Sequence, residues 1–170
     1  MRKNEFYLVY ALLTVAQIVI CNYFFLTPYV TLSLLPVMVL CLPIRIPGAL
    51  AMVIAFATGL AVDWLSEGLL GINALALVPV AAARDGVLRL LFGGELFARK
   101  EDFTVHKNGL GPVSLAIILS QAIFLFVYIW ADGAGMRPFW FNFTRWAASL
   151  TAGTLLSLIA VTALAPDTRK

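Results

Sequence analysis

Charge is what this chain lacks most. Of its 170 residues only 12% are Asp, Glu, Lys or Arg, while 62% are hydrophobic, and the mean hydropathy is +0.94. Soluble domains carry about 25% charge, so this composition excludes an ordinary globular chain and predicts an all-α protein held almost wholly in a bilayer. The length allows one helical transmembrane domain, 1–170, and no separate soluble catalytic domain. A net charge of +3 is too small and too scattered for a nucleic-acid partner. Two cysteines, Cys21 and Cys41, and one histidine exclude a disulfide framework and a zinc ligand set. At ~1.5 Å of rise per residue the two cysteines differ in depth by roughly 12 Å, too far for a disulfide, so free thiols are expected. The chain has no HExxH, no P-loop, no dinucleotide fingerprint, and no serine with a plausible histidine and acid partner. Only one aspartate, Asp63, lies well within an apolar run. The expectation is no enzyme, no catalytic residue, no cofactor and no metal.

What the chain has is apolar runs of about the 20 residues needed to cross hydrocarbon as a helix. Six spans are expected, at about 6–26, 28–44, 48–66, 69–92, 112–131 and 144–165. Met1-Arg2-Lys3 opens like a signal peptide. However, the run behind it is long and no small-residue cleavage site follows, so a retained first helix is expected. Pro79 should kink the fourth span. Arg84, Asp85 and Gly86 either end it early, leaving 87–98 as an amphipathic surface segment, or lie within it. A polar segment, FARKEDFTVHKNGLG, separates the fourth and fifth spans, and no internal repeat is visible.

An even number of spans puts both termini on one side, and the basic residues choose which. With cytoplasmic termini that side holds Arg2, Lys3, Arg45, Arg84, Arg89, Arg99, Lys100, Lys107, Arg169 and Lys170, leaving Arg137 and Arg145 outside. All four tryptophans, Trp64, Trp130, Trp140 and Trp146, fall at outer span ends with Tyr23, Tyr29 and Tyr128, as expected for rings that favour the headgroup level. The outer connection RPFWFNFTRW, 137–146, is expected to lie along the interface, as an anchor or as a docking surface.

The stretch GLAVDWLSEGLLGIN, 59–73, places Asp63 near the outer end of the third span and Asn73 at the start of the fourth. An ionisable group in a membrane segment is costly and therefore a candidate site. Either Asp63 and Asn73 tie the hairpin together and cap the fourth helix, or they offer a polar contact to a partner helix or small ligand. Ala51, Ala55 and Gly59 form a small-residue stripe suited to close helix packing, as do Ala148, Ala152, Gly153 and Ser157 on the sixth span. Gln17 and Gln121, both near mid-bilayer, must each find a hydrogen-bond partner, in one another or in backbone freed by a proline. Arg84, Asp85 and Arg89 form a small charge group, with Asp85 and Arg89 at i, i+4 and the arginines expected to snorkel to the headgroups. His106 falls in the polar inner loop.

The run AFATGLAVDWLSEGLLGINALAL, 55–77, resembles the signature of the MreD family of bacterial rod-shape-determining membrane proteins. That signature is a Gly-apolar-apolar-apolar-Asp stretch ending the third helix, a short polar turn, and a Gly-apolar-polar-Ala stretch opening the fourth. Gly59, Asp63, Gly71, Asn73 and Ala74 occupy those positions. Asn73 stands where a His or Asn occurs, and the aromatic outer loop at 139–143 is a departure. The resemblance implies a fold similar to the substrate-binding components of energy-coupling-factor transporters. It also implies a scaffold of the cell-elongation machinery in the bacterial inner membrane, supporting lateral peptidoglycan synthesis. The implied partners are an MreC-like periplasmic scaffold and, through it, an MreB-like actin, a RodA-like glycosyltransferase and a class B penicillin-binding protein. The shared fold leaves open an alternative, a small-molecule (vitamin-like) binding component of a transporter, lined by Asp63, Asn73, Asn22 and Gln121.

Overall fold

Three prolines, Pro28, Pro36 and Pro43, punctuate the second apolar run, and they set the central feature of the fold. A proline ring clashes with the carbonyl four residues back and removes one helical donor. Pro36 therefore stops a helix from extending back through Leu32. In the computed structural model, which describes residues 3–23, 29–66, 69–93, 109–133 and 136–164, this run is not a membrane-spanning helix. Residues 29–34 are irregular and lead into a short helix, α2 (Leu35–Leu40), with Pro36 in its first turn. At ~1.5 Å per residue six residues rise about 9 Å, far short of the ~30 Å hydrocarbon core.

Five longer helices complete the described residues: α1 (Lys3–Tyr23), α3 (Gly48–Leu65), α4 (Ile72–Phe92), α5 (Leu110–Gly133) and α6 (Phe139–Leu164). Three of them, α3, α5 and α6, are long and apolar enough to cross a membrane, and α1 contributes a shorter apolar stretch, Leu8–Tyr23. The chain is an all-helical membrane protein. α2 sits at its centre and touches all five other helices. Every residue from Leu35 to Leu40 is buried, packed against Ala51 and Ala55 of α3, Leu77 and Val80 of α4 and Phe124 of α5 on one side, and Leu88, Val113 and Ile117 on the other. The outward faces are apolar as well, with Leu8, Leu12, Val15 and Val19 along α1 and Leu155 and Ile159 on α6 exposed. Only lipid suits such a surface over this length.

Irregular backbone at membrane depth needs partners from the protein itself; three polar side chains supply them and a fourth, Arg145, braces the Thr31 side chain. The Gln17 carbonyl oxygen accepts from the Leu34 amide at 2.7 Å, and its Nε2 donates to the Leu32 carbonyl at 3.4 Å and to Cys21 Sγ at 3.1 Å. Gln121 Nε2 donates to the Ser33 carbonyl at 3.0 Å. Ser149 Oγ accepts from the Thr31 amide at 2.8 Å and donates to the Tyr29 carbonyl at 3.4 Å. Arg145 donates to Thr31 Oγ1. The two glutamines thus bond to backbone freed by a proline, not to one another. Gly153 on α6 makes room for this, since a Cβ there would collide with the Gln121 side-chain amide. Gln17→Leu should lower stability by about 1–2 kcal/mol, because the Leu34 amide is left buried without an acceptor. Unfolding in SDS, followed by circular dichroism, measures it; an unchanged midpoint would show the break holds without Gln17.

Two further expectations change. α4 continues past Arg84, Asp85 and Gly86 to Phe92, where Gly93 at φ 65° ends it, so 87–92 are not a separate surface segment. α6 begins at Phe139, not near Thr144, because the Pro138 carbonyl accepts from the Phe141 and Asn142 amides and starts the helix there. The aromatic run is therefore the first turns of a helix. Glu67, Gly68, the segment 94–108 with His106, and residues 24–28 and 165–170 lie outside the described residues, as do the side chains of both terminal basic pairs.

Candidate functional site

The hairpin site is built by a close helix contact. Gly59 lies on the buried face of α3, in line with Ala51 and Ala55. A Cβ at Gly59 would fall 2.5 Å from Ala74 Cα, 2.6 Å from Ala74 N and 2.9 Å from the Asn73 carbonyl carbon. The two backbones touch there. One turn further along α3, Asp63 is thereby carried to the N-terminus of α4, where the first amides of a helix have no internal acceptor.

Asp63 meets them with both oxygens. Oδ2 accepts from the Gly71 amide at 3.0 Å and the Ala74 amide at 3.2 Å. Oδ1 accepts from the Asn73 amide at 3.2 Å and Asn73 Nδ2 at 2.8 Å. The carboxylate is only 2% exposed, and its charge sits where the helix dipole favours an anion. The residue at the helical N-cap, Gly71, contributes no side chain and adopts φ 95°, a conformation costly for residues with a Cβ. The turn therefore relies on α3 for its cap. On the other side of the tip, Asn22 Nδ2 donates to the Leu65 carbonyl at 3.1 Å and ties α1 to the hairpin. Trp64 points outward, 79% exposed, beside exposed Leu60, Leu65, Leu69 and Leu70.

Gly59, Asp63, Gly71, Asn73 and Ala74 thus form one contiguous unit. Ala51 and Ala55 belong to the packing face one to two turns away. Asn22 bonds the Leu65 carbonyl and not the Asp63 cap, and Gln121 lies with Ser33, so the four polar groups named for a small-molecule pocket do not share one cluster. Cys21 and Cys41 are free thiols.

At the opposite end Arg84 does not snorkel. Its side chain is fully buried, donating to the Leu42 carbonyl at the end of α2 and lying 3.4 Å from Asp85 Oδ1. Asp85 therefore pairs with Arg84 beside it on the helix. The carbonyls freed where α2 stops before Pro43 explain the burial: a guanidinium is the donor best suited to reach them. Trp146 also departs from the interface expectation, since its indole N–H donates to the Ala122 carbonyl at 3.2 Å inside the α5–α6 contact.

Sequence reasoning missed a second polar unit beside the hairpin end. Asp132, on the last turn of α5, accepts through one oxygen, Oδ2, from Arg145 at 2.6 Å and Arg137 at 3.0 Å. The signal available was an acidic residue beside the two basic residues of the outer face. Among the described residues no group of three or more His, Cys, Asp or Glu side chains could hold a metal ion. Compared with known proteins, the chain matches no family model, no curated protein and no solved structure.

Proposed function

We propose that this chain is an integral membrane scaffold of the bacterial cell-elongation machinery, of the MreD type, that binds the helix of an MreC-like partner on its hairpin tip. It would reach the MreB-like actin, the RodA-like glycosyltransferase and the class B penicillin-binding protein through that partner, from the inner membrane and with both termini cytoplasmic. One observation carries the reading. The carboxylate inside the hairpin is spent on four internal hydrogen bonds, while the surface beside it, Leu60, Trp64 and Leu65, is apolar and exposed. A rigid tip with an exposed large aromatic suits contact with another helix, since buried aromatic anchors dominate such interfaces.

The alternative, a vitamin-like small-molecule binding component of a transporter, draws support from the irregular 29–34 segment, because interrupted helices line the sites of many transporters. Here Gln17, Gln121 and Ser149 each already bond to that backbone, with Gln121 Oε1 left without a partner, and this prior engagement favours the scaffold.

Trp64→Ala tests the scaffold without touching the cap. Co-purification with the MreC-like partner should fall about tenfold, in the range of a hot-spot aromatic, and cells relying on the variant should round up. Undiminished capture and normal rod shape would remove the hairpin tip as the docking face. A tightly held small molecule, found by mass spectrometry of the purified chain, would favour the alternative.

A further inference from the structure

At the hairpin end two arginines lean on one carboxylate. Arg137 and Arg145 converge on a single oxygen of Asp132, at 3.0 and 2.6 Å, so two cations share one anion. The other carboxylate described at this end, Asp63, is held by the α4 amides. Arg145 is mostly buried, its side chain 12% exposed, and its Nε and Nη2 donate to Thr31 Oγ1. Arg137 is open, 41% exposed, with its guanidinium 5.7 Å from the Phe141 ring centroid. Phe141 in turn packs against Tyr29 at 5.1 Å. Two guanidiniums held this close repel one another across a medium of reduced dielectric, and a second anion relieves that.

The surroundings point to what that anion is. Tyr29, Phe139, Trp140 and Phe143 are all exposed around the same end, and such rings settle at the headgroup level of a bilayer. Arginine presents several donors in a fork that matches phosphate, and it is weakly hydrated enough to serve at an interface. We propose that Arg137, backed by Arg145 and Asp132, binds the phosphate of an anionic phospholipid headgroup in the leaflet at the hairpin end. Arg137 supplies the contact. Asp132 fixes both guanidiniums and sets the net charge of the site at one positive. The site is independent of the scaffold role and of the tip formed by Trp64.

The test is native mass spectrometry of the full chain, released from vesicles of equal phosphatidylglycerol and phosphatidylcholine, counting each bound lipid. Wild type should prefer phosphatidylglycerol. Arg137→Gln should lower that preference about fivefold, the scale of one basic residue near an anionic surface. Arg45→Gln, which removes the same charge at the opposite end, should leave it unchanged. Asp132→Asn, which raises the local charge, should increase phosphatidylglycerol retention severalfold. A cluster that only braces the fold would lose lipid, or show no change, in Asp132→Asn, and that result overturns the proposal. Equal losses in Arg137→Gln and Arg45→Gln would reduce the preference to net charge and overturn it too. Displacement of the lipid by excess inorganic phosphate would make this a free-anion site, which is also a refutation.

Discussion

Gly59→Ala should cost about 3 kcal/mol, the upper range for overpacking, although it adds a single methyl group. The neighbours of that methyl are Ala74 Cα, Ala74 N and the Asn73 carbonyl carbon at 2.5, 2.6 and 2.9 Å. All three are backbone atoms, so no rotamer change can make room. α3 and α4 must separate along their contact, and Asp63, one turn away, is then drawn off the amides it caps. The control is chemically identical. Gly86→Ala, on α4, adds a methyl with nothing within 4 Å, and should be neutral or stabilising by up to about 1 kcal/mol through helix propensity. SDS titration of both variants measures the difference. Equal midpoints would show that the backbones are not in contact at Gly59.

That contact was readable in part. Ala51, Ala55 and Gly59 at four-residue spacing marked the packing face, and the Gly-to-Asp interval placed the carboxylate on it, because both are facts of helical periodicity. The runs at 48–66 and 112–131 are helical over Gly48–Leu65 and Leu110–Gly133, since a lipid-facing backbone must be helical to satisfy its own groups. The same rule misled at 28–44. Hydropathy reports partition into an apolar medium, not backbone conformation. α2 and its flanks are apolar because they are buried in protein, where other helices can satisfy an irregular backbone. Pro36 held the clue, but its partners are remote in sequence: Ser149 bonds to Thr31 across 118 residues, and Gln121 to Ser33 across 88. Pattern within one span cannot name them.

Arg84 and the aromatic run show the same weakness at the level of single residues. Snorkelling assumes that a charged side chain has only lipid and water to choose between. Arg84 instead finds the Leu42 carbonyl, freed because Pro43 ends α2. Phe139 to Phe143 read as an interfacial loop because aromatics favour that level, yet a helix satisfies the same preference with exposed rings on its outer turns.

Asp63→Ala is expected to be the most damaging side-chain truncation in the hairpin, at about 3–5 kcal/mol, the scale for breaking a buried charged network. It leaves three backbone amides and Asn73 Nδ2 without their acceptor, and each buried unpaired donor costs about 1–3 kcal/mol when no relaxation occurs. Gly71 has no side chain to take over. Asn73→Ala, by contrast, removes one donor and leaves both oxygens in use, and should cost about 1 kcal/mol. Asp63→Asn separates a cap from a charge-carrying role. Its amide can present an oxygen to Asn73 but turns an NH2 toward the Gly71 and Ala74 amides, so its stability should fall between wild type and Asp63→Ala. A carboxylate retained for proton or ion traffic would behave differently: Asn would keep the fold intact and abolish function alone. Thermal unfolding of the three variants in one detergent, with partner capture measured on those that remain folded, decides between them. Wild-type stability in Asp63→Asn with lost capture would return the carboxylate to the functional role that its four internal bonds argue against.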